Sequence, residues 1–149
     1  MLRTWRLLHM VLFAAYCYCV VRTCLTSTMT TPVEWKSPDR RIPSNITCAN
    51  YSGTVGGNIT FQGLKNNTED FLSWLLGSGY KSICSFFPQL PGNSNEQHYR
   101  YKVTNLTYNC TYDRLTLLNL TTENSRNYYF RREDVNSTFY YSCYNLTVS

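Results

Sequence analysis

Histidine is almost missing from this chain: among 149 residues only His9 and His98 occur. Beyond residue 24 no two cysteines stand in a C-x-x-C pair, the close spacing that zinc sites use. With only His98 in the body of the chain, a serine or cysteine nucleophile has no ready base to activate it. The nine acidic residues are scattered, with no obvious catalytic pair. The chain therefore reads as no enzyme, with no metal and no cofactor. Basic residues are also thin and dispersed, in pairs such as Arg40-Arg41 and Arg131-Arg132. Neither a run nor a stripe forms, which argues against nucleic-acid binding. No second apolar run of 18 or more residues follows the first, and the end Tyr144–Ser149 carries no lipid-anchor tail, so no membrane anchor is expected. No stretch of useful length has the helical period.

What is present begins with a leader. Arg3 and Arg6 precede a nearly unbroken apolar run from Leu7 to Val21, the layout of a secretory signal peptide. Residues 1–23 are read as that signal, and the product as secreted. Removing it takes away Arg3, Arg6 and Arg22, which brings the formal charge of +5 close to neutral. Residues 24–44 are rich in Ser, Thr and Pro and read as an extended stalk. Residues 45–149 read as one domain.

The strongest signal is the count of Asn-X-Ser/Thr triplets. Nine occur, at Asn45, Asn50, Asn58, Asn66, Asn105, Asn109, Asn119, Asn136 and Asn145. Each is a glycan acceptor that must face water in a secreted protein. Cys48, Cys84, Cys110 and Cys143 lie in the domain. In an oxidising compartment they imply two bridges, with three connectivities open. Cys24 is a candidate unpaired thiol.

From residue 45 the pattern is β. Short alternating segments rich in branched and aromatic residues are separated by Gly, Asn and Ser clusters. In Asn58-Ile59-Thr60-Phe61, the apolar pair points one way and the polar pair the other. Further strands are expected near 71–76, 80–86, 99–110, 114–120, 127–132 and 138–148. Seven or eight short strands predict a sandwich.

One segment is more specific. Leu115-Thr116-Leu117-Leu118-Asn119-Leu120, followed by a polar turn and Asn127-Tyr128-Tyr129-Phe130, resembles the E strand, E–F turn and F strand of an immunoglobulin-like domain. Tyr128 would be its tyrosine corner, Trp74 the buried tryptophan of strand C, and 57–63 strand B. Phe130 stands where the F-strand cysteine belongs, and Phe61-Gln62 where strand B would carry its partner. The fold expected is an all-β, V-type immunoglobulin-like antiparallel sandwich lacking the central B–F disulfide. In that frame, Cys84–Cys110 would join the strand after Trp74 to the strand before Leu115. Cys48–Cys143 would tie the first strand to the last, with Cys143 facing outward.

The tryptophan followed by two cysteines, the Leu-Thr-Leu-Leu-Asn-Leu-Thr strand and the many sequons resemble the cytomegalovirus family of immunoglobulin-like glycoproteins. That family is related to the conserved domain of adenovirus early-region membrane glycoproteins. The resemblance covers residues 55–148. It implies a viral protein that binds a host immune molecule: a receptor, an immunoglobulin, a cytokine or a death ligand. The alternative is a virion-associated glycoprotein that pairs with an anchored viral partner. Sequons are absent between Asn66 and Asn105 and between Asn119 and Asn136, where strands C, C′ and F fall. Asn45, Asn50 and Asn58 mark the first two strands and Asn105, Asn109 and Asn119 the D and E strands, which together form the other sheet of an immunoglobulin-like sandwich. The bare sheet is the expected partner-binding face. Alternation from Trp74, Tyr128 and Phe130 exposes Leu75, Tyr80, Lys81, Tyr129 and Arg131 on it, with Phe86 and Phe87 at its edge.

Overall fold

The computed structural model describes residues 31–64, 69–77, 81–88 and 98–149. The leader, Cys24, the sequon at Asn66 and Tyr80 fall outside them. Among the described residues, ten strands form two sheets. The larger holds β1 (Trp35–Ser37), β10 (Phe139–Val148), β9 (Asn127–Glu133), β4 (Phe71–Leu76), β5 (Lys81–Phe86) and β6 (His98–Arg100) in that order, with β2 (Cys48–Gly53) also on β10. The smaller is β3 (Ile59–Gln62), β8 (Arg114–Leu118) and β7 (Thr107–Cys110). The one helical element among the described residues is a 3₁₀ turn at Thr122–Asn124, between β8 and β9. This is the expected immunoglobulin-like sandwich. Its first domain strand, β2, pairs parallel to β10, while the other pairs are antiparallel.

Alternation explains the core. In β9, Tyr128 and Phe130 point inward; in β4, Leu72 and Trp74 do; in β8, Leu115 and Leu117. Trp74 is paired with Phe130 across the strands, their ring centres 4.8 Å apart. Phe61 lies 5.3 Å from Tyr128 and 5.2 Å from Tyr144. These rings occupy the centre where a B–F bridge would sit. The fit is close enough to need Gly63: a Cβ there would come within 2.9 Å of the Phe130 ring. The Tyr128 hydroxyl donates to the Asn124 carbonyl at 3.0 Å, making the tyrosine corner. Burial pushes that phenol's pKa up to about 12, against the pull of Arg126.

Two bridges sit away from this centre. Cys48–Cys143 links β2 to β10 within the large sheet, and Cys84–Cys110 links β5 to β7 across the two sheets.

Two sequence expectations are corrected. β2 belongs to the large sheet, because its backbone pairs with β10 from Cys48 to Gly53; local pattern does not reveal which strand accepts an edge. The segment read as stalk is folded from Trp35 onward. β1 pairs with the first part of β10, Trp35 opposite Tyr141 and Ser37 opposite Phe139. The chain then doubles back and enters β2 at Cys48.

Candidate interaction face

Residues 38–47 return across the outer face of the large sheet. Ile42 and Ile46 pack on Leu75, Tyr129, Phe139, Tyr141 and Cys143, which form a second apolar cluster on the side away from the sandwich core. The Tyr141 hydroxyl donates to the Arg40 carbonyl at 2.5 Å. The Arg40 guanidinium sits 5.7 Å from the Phe139 ring centre and 3.7 Å from the Glu133 carboxylate. This arm is fastened at both ends. At its exit the Cys48–Cys143 bridge holds it covalently. At its entry Glu34 makes a two-pronged contact with Arg132, Oε1 to Nε at 3.1 Å and Oε2 to Nη2 at 3.2 Å. Arg132 also donates to Asp70 at 3.0 Å and stacks 3.8 Å from the Tyr140 ring centre. Burial alone would lower the arginine pKa, but the bonds and charges of Glu34 and Asp70 raise it on balance. Such a forked, desolvated contact is among the stronger ionic arrangements.

The arm corrects the exposure expected on this face. Leu75 is 0 % exposed and Tyr129 6 %, both beneath the arm. Their side chains do point away from the core, as alternation requires, but the chain itself covers them. Cys143 is outward in the same sense and equally buried. Phe86 is no edge residue: it turns into the core beside Leu72 and Tyr112. Lys81 is exposed at the opposite end of β5 from Phe87.

Among the described residues, no segment covers the other half of the face. Its floor is Ser73 and Ser85, paired across β4 and β5 with their hydroxyls 2.9 Å apart. Small side chains there make room for larger ones above. Arg131 reaches over Ser73, Nη2 to Oγ at 3.4 Å, and lies 5.5 Å from the Phe71 ring centre. Phe71 stands edge-on to Phe87 at 5.0 Å, and Phe87 to Tyr99 at 5.5 Å. Tyr99 is 58 % exposed. Between the arm and these rings is a cavity of about 380 Å³, bounded by Arg40, Phe71, Phe87, Arg131 and Glu133. Two guanidinium groups and one carboxylate give its rim a net positive charge.

Of the residues expected to meet a partner, Phe87 and Arg131 are thus brought together. Phe71, Tyr99 and Arg40 were missed. Phe71 was within reach, since it shares the outward parity of Ser73 and Leu75. Tyr99 and Arg40 arrive from a separate edge strand and from the arm, and local alternation carries no sign of either.

Acceptor asparagines are distributed unevenly around this face. Asn58, Asn105, Asn109 and Asn119 lie on or beside the small sheet, and all are exposed. Asn45 is on the arm, Asn136 in the β9–β10 turn, and Asn50 and Asn145 on β2 and β10. Strands β4, β5, β6 and β9 carry none.

No protein-family model matches the chain. Whole-sequence relatives do. Early glycoprotein GP48 of human cytomegalovirus strain Towne is 87% identical over all 149 residues, which span 99% of that protein. The chain belongs to the cytomegalovirus early glycoprotein family. Early glycoprotein GP48 of strain AD169 is 79% identical, with 100% of this chain and 98% of that one covered. Envelope glycoprotein UL4 of strain Merlin is 76% identical, with 100% and 99% covered. Among solved structures, the first immunoglobulin-like domain of human CD48 antigen aligns with a TM-score of 0.52 at 13% identity, over 80% of this chain and 90% of that one. The V domain of amphioxus IgVJ-C2 aligns with a TM-score of 0.49 at 14% identity, over 66% and 98%. This cytomegalovirus early glycoprotein is therefore a viral glycoprotein with an immunoglobulin-like fold.

Proposed function

We propose that this glycoprotein is secreted and binds a host immune protein through the open half of its large sheet. The observation that carries this reading is the group Phe71, Phe87, Tyr99 and Arg131. Aromatic and arginine side chains are the types that dominate binding hot spots, and here they share one face, on or directly beside strands without an acceptor asparagine. A glycan would block protein contact, so bare strands on a sugar-coated domain mark where contact is open.

Purified protein from the medium of expressing human cells, screened against a library of human ectodomains, tests this. A receptor or cytokine captured by the native protein supports it. Tyr99→Ala with Arg131→Ala should then weaken that binding more than about tenfold, as loss of hot-spot residues does. A sequon installed by Tyr99→Asn with Tyr101→Thr should abolish it. Full binding by both variants places the interface elsewhere. A second reading has one observation in its favour: the strain Merlin relative is named an envelope glycoprotein. Recovery of the protein on purified virions, bound to an anchored viral glycoprotein, would support that reading instead.

A further inference from the structure

Three asparagines form a row across neighbouring strands. Asn145 on β10 is in register with Asn50 on β2 to one side and Asn127 on β9 to the other. Two residues earlier along β2 and β10, Cys48 and Cys143 are opposite each other and bridged. Asn50-Tyr51-Ser52 and Asn145-Leu146-Thr147 are both intact sequons, yet their settings differ. Asn50 is exposed on a strand paired along one side; Asn145 is the middle member of the row and half-buried. The Asn145 Nδ2, the atom a glycan must be built on, donates to the Asn50 Oδ1 at 3.0 Å. Residues paired on adjacent strands lie about 5 Å apart, little more than a sugar ring is wide. Two glycans rooted there would compete for one opening.

Synthesis order separates the two sites further. Their sequence separation is 95 residues, so Asn50 enters the secretory compartment long before β10 exists. Asn145 arrives with the last strand, and domains fold as units once their chain is available. From then on, glycan transfer to Asn145 races the docking of β10 between β2 and β9, which engages its amide. We propose that Asn50 carries a glycan and that Asn145, despite its intact sequon, remains an unmodified structural asparagine.

The test is site mapping of the full-length protein from human cells, using enzymatic deglycosylation in heavy-oxygen water followed by peptide mass spectrometry. Asn50 should be tagged in most molecules and Asn145 in a small minority. Ser52→Ala should remove one glycan step from the gel mobility; Thr147→Ala, which keeps Asn145 but destroys its sequon, should leave mobility unchanged. The paired variant Cys48→Ser with Cys143→Ser should raise Asn145 tagging severalfold, because undocked β10 stays accessible for longer. Cell-retained protein serves for that measurement if export fails, since transfer precedes export. Predominant tagging of Asn145 in the unaltered protein overturns the proposal. So does an Asn145 that stays bare in the bridge-free variant, because docking would then not be what protects it.

Discussion

The outer face of the large sheet is two surfaces on one set of strands. Over β10 and β9 it is apolar and sealed by the chain's own arm; over β4, β5 and β6 it has a serine floor under rings and arginines and is open. Both halves obey the same alternation. What separates them is a segment 38–47 that is distant in sequence from most of what it covers. Parity gives a side chain its direction, while exposure depends on what else the fold lays over it.

The sharpest way to break this contrast is at the arm's entry. Arg132→Ala would leave Asp70 buried and Glu34 largely buried, without their cation. The expected cost is about 3–5 kcal/mol, as for other broken buried ion pairs. Thermal unfolding should read it as a large drop in Tm, and secretion should fall with it. A variant with unchanged Tm would mean that the arm is not fastened there.

Adjacent residues of β9 then compare the two sides of the sheet. Phe130→Ala opens the sandwich core and should cost about 3–5 kcal/mol. Tyr129→Ala opens the cluster under the arm and should cost about 2 kcal/mol or more, as buried large-to-small changes do. Denaturant unfolding of the two variants checks this. A neutral Tyr129→Ala beside a damaging Phe130→Ala would show the arm to be loosely held in solution.

A smaller effect tests the core side by pH. Tyr128 has its pKa raised from 10.0 to about 12 by burial. Above pH 10 the unfolded chain ionises this phenol while the folded chain keeps it neutral. Its contribution is therefore complete below pH 10 and is lost as pH climbs towards 12. That loss is on the order of 2–3 kcal/mol. The slope of stability between those values should become shallower in Tyr128→Phe.

The smallest effect belongs to the open half. Tyr99→Ala should change stability by no more than about 0.5 kcal/mol, as exposed substitutions do. A larger loss, measured by thermal unfolding, would make Tyr99 a structural residue and weaken its claim as a contact.

These variants also mark where sequence reading succeeds. Trp74, Tyr128 and Phe130 were legible because their signals are local: an alternating strand, a turn and a tyrosine four residues after the carbonyl it binds. The arm was hidden by composition. Ser, Thr and Pro over 24–44 suggested a stalk, and Trp35 and Ile42 are too few to announce a buried segment by pattern. The position of β2 was hidden for another reason. Its pairing with β10 spans 95 residues, and nothing within six residues of sequence specifies that neighbour. The candidate face was half legible for the same cause: Arg131 lies on a strand that could be phased and Phe87 directly follows another, whereas Tyr99 and Arg40 are delivered by the tertiary fold.

The bridge between Cys48 and Cys143 also has a mechanical meaning. It encloses both faces of the sandwich in one covalent loop, with the β2–β10 pair at its neck. Tension applied between residue 31 and residue 149 reaches the bridge after the arm and the second half of β10, beyond Cys143, have peeled away. Beyond that point the strands inside the loop are out of the load path. A protein stretched this way behaves as a short tether on a locked body. Chemical reduction is what would let the same pull unravel the sandwich.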